Sequence, residues 1–194
     1  MRLLYLLAFA VSAFGASDLA VYTLLAPSTH SFEVAYDTSV TRTGAAYFFN
    51  PIRPGSAVSK ESAIDLASGH ALELKTVSGG EAKAANAVPA NTADNAQFLW
   101  VKLLRPVGPG AETRIRILRT YVDAASYRAT ENGFVFERPI AVTRIVAVLP
   151  AGYELIASRS PAIVSTGADG RIRVSFFNDR DDDLPVRIEG KKLP

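Results

Sequence analysis

Apolar and polar side chains alternate with a period of two along most of this chain. Phe32, Val34 and Tyr36 alternate with Glu33, Ala35 and Asp37, and Leu72, Leu74 and Thr76 with Glu73 and Lys75. Ile172, Val174 and Phe176 alternate with Arg171, Arg173 and Ser175, and Val186 and Ile188 with Arg187 and Glu189. Successive side chains of a strand point to opposite faces, so this pattern predicts strands with one buried and one wet face. Residues 97–104 and 142–149 are apolar on both sides and predict central strands. Less regular strands are expected over 19–25, 45–49, 58–66, 113–122 and 134–137.

Turn chemistry separates these segments at the short spacings of a sandwich. Ala67-Ser68-Gly69-His70, Val107-Gly108-Pro109-Gly110, Glu131-Asn132-Gly133 and Gly167-Ala168-Asp169-Gly170 each precede or join strand patterns. Pro139, Pro150, Pro161 and Pro185 fall at strand starts or ends, where a missing N–H does least harm. Residues 81–87 have room for one short helix. Residues 78–96 are rich in Ala, Asn and Gly with almost no large apolar side chain, and read as a mobile loop. The fold class is all-β, an antiparallel β-sandwich: two abutting immunoglobulin-like lobes, 17–125 and 126–194, or one extended sandwich with continuous sheets.

The first sixteen residues break the strand pattern. Arg2 precedes an apolar run from Leu3 to Val11, followed by the small residues Ser12, Ala13, Gly15 and Ala16. Charge, apolar run and small residues in that order predict a secretory signal peptide over 1–16, cleaved between Phe14 and Ser17. The run is shorter than the roughly 20 apolar residues of a membrane span, so none is expected after cleavage. The expected location is periplasmic or secreted, in a bacterium.

Composition narrows the chemistry. The 194 residues include no cysteine, which excludes disulfides and a lipid-anchoring export signal. That absence fits a bacterial exported protein with a core large enough to need no staples. The formal net charge of +2 is far below the basic excess of nucleic-acid-binding domains, so no nucleic acid is expected as a partner.

Three segments of the C-terminal third carry a resemblance: Phe136-Glu137-Arg138-Pro139-Ile140, the stretch from Val148 through Pro150, Gly152 and Tyr153 to Leu155, and the stretch from Asp169 and Gly170 to Phe176. They resemble uncharacterised bacterial exported β-sandwich proteins. More faintly, they are similar to the non-catalytic β-sandwich lobe that precedes the catalytic part of some secreted metallopeptidases. These are turn-and-strand signatures, so the resemblance implies a fold and an exported setting and transfers no functional residue.

No catalytic motif emerges. There is no Gly-x-Ser-x-Gly elbow, no His-Glu-x-x-His helix and no histidine besides His30 and His70, both on predicted turns. General-base work needs a fixed partner that neither turn supplies. Enzymatic activity is left undecided, with the balance against it and no cofactor implied. Among metals, calcium has the better case. Asp179, Asp181 and Asp183 lie on one acidic loop, and clustered carboxylates suit a hard cation, although EF-hand spacing is missing and Arg180 sits inside the run. Arg114 and Arg116 share one strand face, and Arg171 and Arg173 another. Side by side, the two strands would present a basic surface to an anionic envelope polysaccharide; arginine on a wet strand face also simply blunts aggregation. Tyr47, Phe48 and Phe49 are candidates for a sugar-stacking surface, while Trp100 reads as core. The expected function is a non-catalytic binding or structural module of the cell envelope, engaging a polysaccharide or an envelope protein through a sheet face or loop ends. The alternative is a secreted hydrolase or its accessory β lobe.

Overall fold

The computed structural model describes residues 18–194. The predicted signal segment, 1–16, lies outside the described residues. The strands in chain order are β1 (Leu19–Leu24), β2 (Ser31–Val40), β3 (Tyr47–Ile52), β4 (Ala57–Asp65), β5 (Leu74–Ser78), β6 (Gln97–Lys102) and β7 (Thr113–Val122). After these come β8 (Tyr127–Thr130), β9 (Gly133–Ile140), β10 (Arg144–Val148), β11 (Tyr153–Ser158), β12 (Ile163–Thr166), β13 (Ile172–Phe177) and β14 (Leu184–Lys192). One short helix, α1 (Gly79–Ala84), follows β5.

The strands form three sheets: a seven-stranded sheet ordered β12-β13-β10-β1-β2-β7-β4, a four-stranded sheet β11-β14-β9-β8 and a three-stranded sheet β3-β6-β5. The chain is the all-β sandwich its alternation predicts. Strands from both sides of residue 125 share the large sheet, because β1 pairs in parallel with β10 from Leu19↔Arg144 to Thr23↔Val148. The division expected at 125/126 therefore runs through one core and does not separate two. Leu24 and Phe32 lie in that core with Tyr127, Phe136 and Val186. The ring of Phe32 meets that of Phe136 edge-on at 5.5 Å and so ties the large sheet to the four-stranded one. The three-stranded sheet joins the same core through fully buried Leu99 and Val101.

β8, β11 and β12 were not legible as strands. β11 has a register shift between Leu155 and Ala157, and all four residues of β12 are exposed, so neither shows a clean alternation. β3 runs on through Pro51, past the expected end at 49. An edge strand tolerates a proline because its N–H faces away from the ladder, and β3 is an edge. In the four-stranded sheet Pro139 sits directly opposite Pro185. Neither can donate, so their pairing falls at a position where the ladder has no bond to lose.

Residues 78–96, expected as a loop, contain α1. Ser78 Oγ accepts from the Glu81 N–H at 3.2 Å and Glu81 Oε2 accepts from the Ser78 N–H at 2.8 Å, a complete capping box. Ala82 is fully buried with Val77 and Phe98. The Gly79 N–H donates to Ala96 O at 2.7 Å, which folds the segment back along β5. A side chain at 79 would collide with Ala93 O, so the close approach requires glycine.

Candidate functional site

A cleft of about 480 Å³ opens on the inner face of the large sheet. That size falls within the range of small-molecule sites. Its floor comes from β1, β2 and β7, where the buried face turns polar: Asp18, Tyr22, Tyr36, Thr38, Arg119 and Tyr121 all line it. Phe48 and Asn50 of β3, Val88 and Pro89 after α1, and Arg138, Ile140 and Val142 at the end of β9 and beyond it close the sides. The alternation that buries Ile115 and Ile117 of β7 carries Arg119 inward on the same face.

Each charged group in the cleft is held by neighbours. Arg119 donates from Nη1 to Tyr121 Oη at 2.9 Å and from Nη2 to Asn50 Oδ1 at 2.6 Å. Its Nε faces Glu61 Oε1 at 3.7 Å, an attraction without a hydrogen bond. Glu61 reaches this point because β4 shifts register between Ser59 and Ser62, with Lys60 at φ 51°. Arg138 donates from Nη1 to Asp123 Oδ2 at 3.1 Å and lies over the rings of Phe32 and Tyr121 at 5.7 and 5.4 Å. Asp123 also accepts from Ser126 N–H and Oγ and from Ser56 Oγ. Burial works against the Asp123 charge, but these donors and Arg138 win and hold its carboxyl below the usual range.

At the other end, Asp18 accepts from Tyr36 Oη at 2.9 Å, Thr38 Oγ1 at 3.1 Å and the Ser39 N–H at 3.4 Å. Burial nevertheless dominates and pushes its carboxyl up. Burial likewise raises the phenols of Tyr22 and Tyr36, which stay protonated donors. Neither histidine lines the cleft. His30 Nδ1 lies 3.0 Å from Tyr127 O in the turn before β2, and His70 is exposed on the turn after β4. A rigid polar floor with apolar sides is suited to holding a ligand.

The residues singled out from the sequence lie elsewhere. Arg114 and Arg116 point outward from β7; Arg116 is bound to Asp37 through Nε and Nη2 at 2.6 and 2.7 Å. Arg171 is turned to two backbone carbonyls, Leu149 O at 2.7 Å and Leu24 O at 3.0 Å. Arg173 stands on β13 opposite Val148 of β10. β10, β1 and β2 separate β13 from β7, so the two arginine pairs are not side by side. Asp179, Asp181 and Asp183 lie between β13 and β14, where Arg180 is clamped onto Asp182 at 2.5 and 2.8 Å. Among the described residues no three His, Cys, Asp or Glu side chains are grouped to hold a metal ion. Trp100, expected in the core, is half-buried and stacks on exposed Tyr47 at 4.9 Å. Buried Arg119, Asp18 and Asp123 and half-buried Arg138 were missed. The signal was there for Arg119, which continues the apolar face of Ile115 and Ile117.

No family model matches this chain. No curated protein matches it either. Solved structures do. An M1 zinc metallopeptidase from Deinococcus radiodurans is similar with a TM-score of 0.54 and 14% identity over 90% of this chain and 41% of that chain. A two-domain M1 zinc metallopeptidase bound to L-tryptophan matches with the same four values, 0.54, 14%, 90% and 41%. An aminopeptidase N family protein from Idiomarina loihiensis has a TM-score of 0.50 and 11% identity over 90% of this chain and 29% of that one. At these identities the likeness is one of fold. The chain spans less than half the length of each.

Proposed function

We propose that this protein is a non-catalytic β-sandwich module that works beside a hydrolytic catalytic domain, exported to the bacterial envelope. The observation that carries the reading is the fold likeness, which takes in 90% of this chain but only 41% of the M1 zinc metallopeptidase. The sequence agrees, since its only histidines are His30 and His70 and no His-Glu-x-x-His helix is encoded. Export rests on the charge, apolar run and small residues of 1–16. Two measurements test the reading. The purified chain, supplied with zinc, is assayed against aminoacyl-nitroanilides and is expected to be inert. The tagged chain, cross-linked in intact cells, is expected to link to a hydrolase. Turnover by the chain alone, or cross-links confined to other envelope components, overturns it.

A second reading is an envelope module that engages a polysaccharide or an envelope protein through the outer face of the large sheet. Exposed Arg114 and half-exposed Arg173 on that face favour it. Charge reversal at Arg114 is its test, with loss of retention on an anionic polysaccharide column as the expected result.

A further inference from the structure

We propose that the cleft on the inner face of the large sheet is a binding site for a small amphipathic acid, with its carboxylate on Arg138 and Tyr22 and its apolar body between Phe48, Val88, Ile140 and Val142. The site is independent of whether the chain works beside a hydrolase.

Arg138 supplies the first argument. Its hydrogen bonds to Asp123 and Ser126 both leave from Nη1. The rest of the guanidinium fork interacts with the Tyr22 hydroxyl, and both side chains line the cleft, so a carboxylate seated there would be shared by the two. Two N–H groups fixed in one plane match the two oxygens of a carboxylate, and such charge-assisted pairs are roughly twice as strong as neutral ones. The fork is also rigid before any ligand arrives. Asp123 holds it from one side and the rings of Phe32 and Tyr121 lie beneath it. A preorganised donor loses little freedom on binding.

The second argument is local charge. Arg119 lines the same cleft, and its pairing with Glu61 is loose at 3.7 Å, with Nε making no hydrogen bond. Neither Glu61 nor Asp123, the carboxylates that balance the two arginines, lines the cleft. An anion entering it meets the cations first. Asp18, at the far end, is enclosed by three donors that offset its charge.

The third argument is shape. Phe48, Val88, Ile140 and Val142 give the cleft aliphatic and aromatic walls, and about 480 Å³ admits a body of drug-like size. A bare inorganic anion would leave those walls wet, whereas an apolar body covers them.

The experiment uses 3-phenylpropionate and decanoate as probes, each beside its matched alcohol, with the chain labelled on Ile and Val methyls for NMR. Saturable shifts of the Val88, Ile140 and Val142 methyls are expected with the acids, and affinity at least about tenfold weaker with the alcohols. Tyr22→Phe keeps the ring in the core and is expected to weaken acid binding about threefold to tenfold while leaving the alcohols unchanged. Val142→Phe, which fills the cleft, is expected to abolish both. Equal affinity for acid and alcohol, shifts centred outside the cleft, or no shift at millimolar probe each overturns the proposal. Should Val142→Phe fail to fold, the shifts of the unsubstituted protein and of Tyr22→Phe decide alone.

Discussion

The Tyr36 hydroxyl donates to Asp18 Oδ2 at 2.9 Å, across the β1–β2 pair and inside the core. Thr38 Oγ1 donates to the same oxygen at 3.1 Å. Removing one of the three donors to a buried carboxylate costs more than the net value of one exposed hydrogen bond. Tyr36→Phe is expected to destabilise the protein by about 1–2 kcal/mol, read as a lower urea midpoint at unchanged m-value.

Asp18 and Asp123 bend the pH profile in opposite directions. Burial raises the Asp18 pKa above 3.8, so the folded state binds this proton more readily than the unfolded state. Its contribution is therefore present at low pH and is lost as pH rises from 3.8 through the raised value. The Asp123 pKa is lowered from 3.8, so its contribution is full above that value and is lost as pH falls through the depressed one. Urea midpoints measured across this range are expected to show Asp18→Asn removing the decline on the rising side and Asp123→Asn removing the loss on the acid side. Identical profiles for the two variants contradict both assignments.

Asp123→Ala leaves half-buried Arg138 without its carboxylate partner. The Arg138 and Asp123 side chains are 11% and 5% exposed, so water entering from the cleft replaces the lost partner only in part. The expected cost is about 3–5 kcal/mol in denaturant unfolding, the range for breaking a buried pair from one side. Asp123→Ala combined with Arg138→Met is expected to recover part of it, because no unpaired charge remains.

Gly190 and Gly133 let β14 and β9 approach around Phe134. A Cβ at 190 would collide with the Phe134 ring, and one at 133 with the Gly190 backbone. Phe134 is itself fully buried and cannot swing away. Gly190→Ala is expected to cost about 1–3 kcal/mol by overpacking, and Gly133→Ala more, since backbone yields less than a ring. Thermal unfolding of the two variants checks the order.

Ser78 controls α1 locally. Ser78→Ala removes the acceptor for the Glu81 N–H and half of the capping box. Amide exchange over residues 79–87 is expected to accelerate while the β2 and β7 amides stay as protected as before. Equal acceleration in those strands would mean that α1 unfolds only with the whole sandwich.

The period-two alternation determined the fold class, because a strand exposes its burial pattern in the residues themselves. Phe32 to Asp37 and Ile172 to Phe176 needed nothing further. The turn at 67–70 was equally legible, since Asp65 Oδ1 and the N–H groups of Ala67 and Ser68 close it locally. The three-sheet arrangement was not. The β1–β10 pairing joins residues more than a hundred positions apart, and no local pattern specifies such a partner. The cleft was hidden for the same reason. Arg138 and Asp18 look like ordinary wet-face charges until distant segments bring Asp123 and Tyr36 against them, and nothing local places Asn50 against Arg119. Local alternation fixed which residues form strands, and only long-range packing decided which charges are buried and what encloses them, because desolvation depends on neighbours that the sequence does not place side by side.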